Sequence, residues 1–304
     1  MISYRSCVQH GGSIVVIISW NMAKTRDIPF DQVLKRCENW GASVLVVQEP
    51  TGSLISFGSD RKTVQPRGCQ CSWSGWLQKG GSQGSIVIIA RQEVSISEIT
   101  PVDLGTGQGT RRITATNPLV FFQATEGAET MKFATCHSPF DESARAVYSR
   151  KAVAEAGERG ADCIIGDMNT YGTKVPSGTS SRSSGYQYPP LGPTSARGHG
   201  SPLDKVFVAD KQTDYLAGRV IPGGAQRGVK RSRETSDNVK DIIDPDWQQC
   251  ASDHLPIYIA FHDQQCRIEN KFFKPPDDDD DTPEPPTKKS AGGIAIPTAR
   301  PIKA

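Results

Sequence analysis

The 304-residue sequence has no Cys-X-X-Cys pair, no apolar run of 18 residues and no internal repeat, and its Lys and Arg outnumber its Asp and Glu by only two. Each absence narrows the field. Without paired thiols, zinc-ribbon and thioredoxin-type motifs have no support. Cys37, Cys136 and Cys163 fall in apolar segments and read as reduced core thiols. Cys69-Gln-Cys71 is the exception, a plain loop or else a redox or metal pair. No stretch is long and apolar enough to predict a membrane span. The first apolar run, SIVVIISW, lacks a basic leader and a small-residue cleavage site, so it predicts a strand and a soluble chain without a signal peptide. The small net charge neither demands nor excludes a polyanionic partner, but its distribution is uneven. From Met168 to Arg233 ten Lys and Arg face only Asp204, Asp210 and Asp214, and that half would attract phosphate.

What is present is a regular alternation of apolar strands with few helices. Ile14 to Trp20 is a continuous apolar run, as expected of a strand covered on both faces. Phe30, Val33, Leu34, Cys37 and Trp40 then recur at helical spacing between Pro29 and Gly41, and SVLVVQE forms the next strand. A strand, helix, strand opening puts the two strands parallel, with Asn21 and Glu49 at one sheet edge. Further strands are expected at 85–90, 118–123, 131–136, 163–166, 205–209 and 256–261, and a helix over Ser143 to Glu158. That content predicts one domain, residues 1–263, of two packed sheets with outer helices. Gly172 to Gly200 reads as a long loop, and residues 264–304 as a disordered acidic, proline-rich tail with too little apolar content to order itself.

The strand ends carry the chemistry. Asn21, Glu49, His137 and Asp167 each follow a strand, whereas Asp204 and the Asp253-His254 pair each precede one. If the second group's strands run antiparallel to the first, all seven side chains collect at one edge. Alone, each would be a cap, a turn former or a satisfied core histidine; together they suit a hard divalent cation, Mg²⁺ or equally Mn²⁺ or Ca²⁺. Phosphodiester hydrolysis needs such a site: a cation on the phosphoryl oxygen, an activated water and charge stabilisation at phosphorus.

SWNMA, VVQEP, GDMN, LDKVFV and SDHLPI, in that order, resemble the endonuclease/exonuclease/phosphatase superfamily, which includes deoxyribonuclease I. Within it, GASVLVVQEPTGSL and PTSARGHGSPLDKVFV are most similar to the catalytic B subunit of cytolethal distending toxins. The resemblance runs from Ile14 to Phe261. It implies a deoxyribonuclease I-like α+β fold, a four-layer α/β sandwich, and a metal-dependent DNA endonuclease of genotoxin type. A phosphoinositide phosphatase on the same core and a non-catalytic binding protein are the alternatives. Glu49 would be the main metal ligand, with Asn21 and Asp253 near the ion. Asp167 would orient or deprotonate the attacking water, and Asn169 would bind the transition-state oxygen. Asp204 would orient His254, and His137 would contact phosphate or protonate the leaving oxygen. Arg111 or Arg112 would grip phosphate. A toxin of this type would need carrier or delivery subunits, and a route to the target nucleus without a signal peptide. The sequence also departs from the family. No acid occurs between Lys79 and Gln92, where deoxyribonuclease I would place the partner of His137 near Gln83, and the tail is an addition.

Three motifs stand outside this site. Trp73 and Trp76 in CSWSGW could stack on bases or pack locally. KPPDDDDD reads as a solvated linker. Lys230, Arg231 and Arg233 in GVKRSRE are a candidate nuclear address or phosphate contact, within a basic, acid-free run over 219–233.

Overall fold

The computed structural model describes residues 14–22, 29–50, 62–78, 85–105, 117–170, 185–189, 191, 194, 203–213, 215–220, 252 and 254–262. The alternation read from the sequence folds into thirteen strands and two helices among these residues: β1 Ile14–Asn21, α1 Phe30–Asn39, β2 Val44–Gln48, β3 Lys62–Val64, β4 Trp73–Gln78, β5 Ile86–Arg91, β6 Val94–Val102, β7 Leu119–Glu126, β8 Glu129–His137, α2 Glu142–Glu158, β9 Cys163–Asp167, β10 Tyr186–Gln187, β11 Asp204–Ala209, β12 Tyr215–Arg219 and β13 Ile257–His262. They form a seven-stranded sheet of order β12-β13-β1-β2-β5-β4-β3 and a six-stranded sheet of order β10-β11-β9-β8-β7-β6.

Each sheet is built around one parallel pair. β1 lies parallel to β2, joined by α1, and β8 lies parallel to β9, joined by α2. Parallel neighbours need such a crossover, because a tight turn can only reverse the chain. Each pair has an antiparallel partner at its side, β13 on β1 and β11 on β9.

Alternation along the strands divides the apolar residues between two cores. Val15, Ile17, Val44, Val46, Ile88, Val120, Phe122, Phe133, Ile165 and Val206 pack between the sheets, where Phe122 and Phe133 stack with centroids 5.3 Å apart. Phe121, Ala134, Cys136, Ile164 and Phe207 face the other way, onto Tyr148, Ala152, Val153 and Ala156 of α2. Asp141 caps α2 by accepting the Ala144 N–H at 3.0 Å. α1 buries Val33, Leu34 and Cys37.

The strands missed by pattern reading are the less apolar ones. β6 is largely exposed along its length, β12 is half-buried throughout, and β4 carries Ser74 and Gly75 between its tryptophans. Trp73 is buried and Trp76 packs against the inter-sheet core, so local packing accounts for both. β10 lies within the segment read as a long loop. No helix among the described residues is long and apolar enough to cross a membrane.

Candidate active site

The register fixes where the strand ends meet. Asn21 closes β1 opposite Gln48, and Glu49 follows directly. His137 closes β8 opposite Asp167, the last residue of β9, and Asp167 in turn lies opposite Asp204, the first residue of β11. Because β13 runs antiparallel to β1, His254, three residues before β13, comes to the same edge. The antiparallel condition set by the sequence is therefore met in both sheets. Asp253, Arg111 and Arg112 lie outside the described residues.

Gly166 makes the second half of this edge possible. A Cβ there would overlap the carbonyl oxygen of Cys136 on the parallel strand β8, so only glycine lets the two strands approach. Asp167 and Asn169 are held just beyond it. Asn169 has φ of 49° and Glu49 has φ of 48°, two of three non-glycine residues in the left-handed region among those described. Asn tolerates this conformation, whereas for Glu it costs energy on the order of 1–3 kcal/mol. The third, Glu98, sits at the β6–β7 register shift, away from this edge.

Asp167 is the hub. Its Oδ2 accepts from Asn21 Nδ2 at 2.8 Å and lies 3.6 Å from His137 Nε2 and 3.9 Å from His254 Nε2. Its Oδ1 accepts the Asn169 N–H at 2.8 Å, and its carbonyl accepts the Ser138 N–H. Asn169 Nδ2 donates to the Ser138 carbonyl at 2.9 Å, which fixes the orientation of the amide. His254 Nδ1 meets Asp204 Oδ2 at 2.8 Å. A buried carboxylate beside Nδ1 makes that nitrogen the donor, so the ring presents Nε2 to Asp167. Burial pushes the Asp204 carboxyl above the usual carboxylate range and nearby Asp167 adds to this, while His254 and the Thr194 hydroxyl oppose it.

His137 has a different setting. Its Nε2 lies 3.4 Å from Glu49 Oε1, and its carbonyl accepts Asn117 Nδ2 at 2.7 Å. The acidic neighbour that the sequence lacks around Gln83 is thus supplied across the sheets by Glu49. Several supporting residues escaped the sequence reading. Thr194 accepts the Asp204 N–H through its hydroxyl and the Leu255 N–H through its carbonyl. The Ser252 hydroxyl donates to the Asn21 carbonyl at 2.6 Å, and its Oγ accepts the His254 N–H. The only signal for Ser252 was its place in SDHLPI.

Three carboxylates converge here, and Asp167 and Asp204 are 1% and 2% exposed. Like charges so placed need a compensating cation, and oxygen donors suit a hard divalent ion. The donor set therefore fits the expected metal. Two groupings offer themselves. Asp167, Asp204 and His254 bring one ligand atom each within 4.8 Å of one another. Binding through that trio would compete with the 2.8 Å Asp204–His254 contact, whereas the resemblance implies Glu49, with 25% of its side chain exposed, together with Asn21. Away from it, burial and Glu38 push the thiols of Cys69 and Cys71 up to about 11 and about 12, which disfavours the thiolates that redox or metal chemistry needs.

Two sheets, each with a parallel pair delivering polar residues to a shared edge, make up a deoxyribonuclease I-like α+β sandwich, the fold that the resemblance implied. Solved structures with this architecture include D. rerio TDP2 complexed with single-strand DNA product, at 14% identity over 82% of this chain and 98% of that one, TM-score 0.55. The human nocturnin catalytic domain with bound sulfate matches at 13% over 82% and 93%, TM-score 0.53. The Haemophilus ducreyi cytolethal distending toxin matches at 14% over 81% and 97%, TM-score 0.50. No family model matches the sequence, and no curated protein matches it.

Proposed function

We propose that this chain is a metal-dependent phosphodiesterase that hydrolyses DNA as an endonuclease. The reading rests on one observation: Asp167 stands between two imidazoles, within 4 Å of both, and one of them is backed by the buried Asp204. Such an arrangement can hold a tetrahedral phosphate between the His137 and His254 Nε2 atoms while Asp167 orients a water for attack. Asn21 and the Asn169 N–H fix both oxygens of Asp167, so the carboxylate needs no reorganisation as the proton moves. Asp204 stabilises the imidazolium of His254 as charge builds on the phosphoryl oxygens. His137 is placed to protonate the departing oxygen. A divalent ion held by Glu49 would supply Lewis-acid stabilisation of the phosphoryl group.

The bound species of the similar structures, a DNA product in TDP2 and a sulfate in nocturnin, support a phosphate-directed site and favour nucleic acid. The toxin-type reading adds entry into a target cell with the help of delivery subunits, and rests on the sequence likeness together with the shared fold. The test is incubation of the purified chain with supercoiled plasmid and, in parallel, with phosphoinositides, each with and without chelator. Nicking that chelator abolishes is the expected result. Phosphate release from the lipid with an intact plasmid would replace this reading by the phosphatase one, and inactivity on both would leave a binding protein.

A further inference from the structure

Phe140 is 71% exposed and is the one large apolar side chain left exposed among the described residues. It lies three residues beyond His137, a span of at most about 11 Å, in the segment that leads from β8 into α2. Local structure gives no reason for the ring. At the residue before a helix cap, an apolar side chain normally packs on the fourth helical residue. Here Asp141 is the cap and that fourth residue is Arg145, so the helix itself offers no apolar partner at that position.

The segment is also fixed in place. Ser138 donates its N–H to the Asp167 carbonyl at 2.8 Å and accepts Asn169 Nδ2 at 2.9 Å. Pro139 stiffens the chain beyond it. Asp141 is bound to the Ala144 N–H through its side chain and to the Arg145 N–H through its carbonyl. An exposed ring thus has its backbone tethered on both sides, and one tether is made of Asp167 and Asn169 themselves.

We infer that Phe140 is a stacking platform for the nucleobase next to the scissile phosphate, so that the preferred substrate carries an unstacked base, as in a single strand or a frayed end. The inference rests on the phosphodiesterase reading of the site and deepens it. A base within an intact duplex already stacks on its neighbours and gains nothing from the ring, whereas a base–aromatic contact benefits every unpaired base regardless of identity.

The test compares the parent chain with Phe140→Ala and Phe140→Trp on two oligomers of equal length and charge, a single-stranded oligonucleotide and its fully abasic counterpart. Phe140→Ala should raise KM for the base-bearing strand about tenfold with kcat within about twofold, leave the abasic oligomer unaffected, and be rescued by Phe140→Trp. Fluorescence anisotropy in chelator reads the same contrast as binding, so it decides the matter even for a chain without nuclease activity. Melting curves of the variants keep misfolding apart from lost contact. Equal effects on both oligomers, or none on either, would overturn the inference. So would a loss of phosphoinositide-vesicle binding with oligonucleotide binding unchanged, which would make Phe140 a membrane contact. Parent hydrolysis without a Phe140 effect removes the platform alone; loss of base-dependent binding in Phe140→Ala without parent hydrolysis removes the nuclease reading alone.

Discussion

The two sheets contribute to the site through the same device and to different ends. Each carries a parallel pair with an antiparallel neighbour. The six-stranded sheet supplies His137, Asp167 and Asp204 from neighbouring strand ends, with Asn169 bound to Asp167 and to the Ser138 carbonyl just beyond, and it excludes any side chain at Gly166 to do so. The seven-stranded sheet supplies Asn21, Glu49 and His254, which touch the first group from across the gap. One half is a rigid template and the other closes over it. On the proposed function, proton transfer would concentrate where the halves meet, and the ion would be held by Glu49 on the seven-stranded side.

If that division holds, substitutions at the meeting point should matter most. Asp167→Ala and His254→Ala are each expected to lower kcat/KM at least a hundredfold, about 2.7 kcal/mol, with unchanged melting. Losses below tenfold would remove both assignments. Asp204→Asn comes next. It keeps the shape of the pair but no longer opposes the charge of an imidazolium, so kcat should fall by more than tenfold while KM for the oligonucleotide stays within about threefold. A rise in KM with kcat unchanged would show that Asp204 serves binding rather than the imidazolium.

Glu49→Gln probes the other half. It should shift the Mg²⁺ titration of activity to higher concentration by roughly tenfold and be partly rescued by added ion. A superimposable titration would move the ion to the Asp167, Asp204 and His254 grouping. The smallest effect is expected at Lys205, 1% exposed and beside the template. Burial lowers its ammonium from 10.5 to about 8, against the opposing pull of Asp167 and Asp204. A folded value below the unfolded one means that the unfolded chain binds more protons between about pH 8 and 10.5, so stability in that window rises with pH. Relative to Lys205→Met, the parent should therefore gain about 1 kcal/mol per pH unit above pH 8 in chemical denaturation with chelator present. A constant difference would show that Lys205 keeps its ordinary affinity for protons.

The two halves were not equally legible in the sequence. β1, β2, β5, β9 and β11 are buried on both faces and so appear as continuous apolar runs, and residues at their ends could be placed without knowing the rest. β6 and β12 could not be found this way, because half-exposed strands mix polar and apolar residues too evenly. Which way each strand runs decides whether Asp204 and His254 join the site, and that was a condition rather than a deduction. Thr194, Ser252 and Asn117 were invisible for another reason. Their hydrogen bonds reach 10, 231 and 20 residues along the chain, and a polar residue's distant partner leaves no local pattern.

β13 inserts between β12 and β1, so the first strand described waits for the last. The Trp20 side chain donates to the carbonyl of His254, 234 residues away. At synthesis rates of about 5–20 residues per second, β1 leaves the ribosome some tens of seconds, roughly 10 to 50, before its partner. Until then His254 is missing from the edge. On the proposed function a nascent or prematurely terminated chain would lack one of its two imidazoles, and a cell making this protein would meet its chemistry only once translation had passed β13.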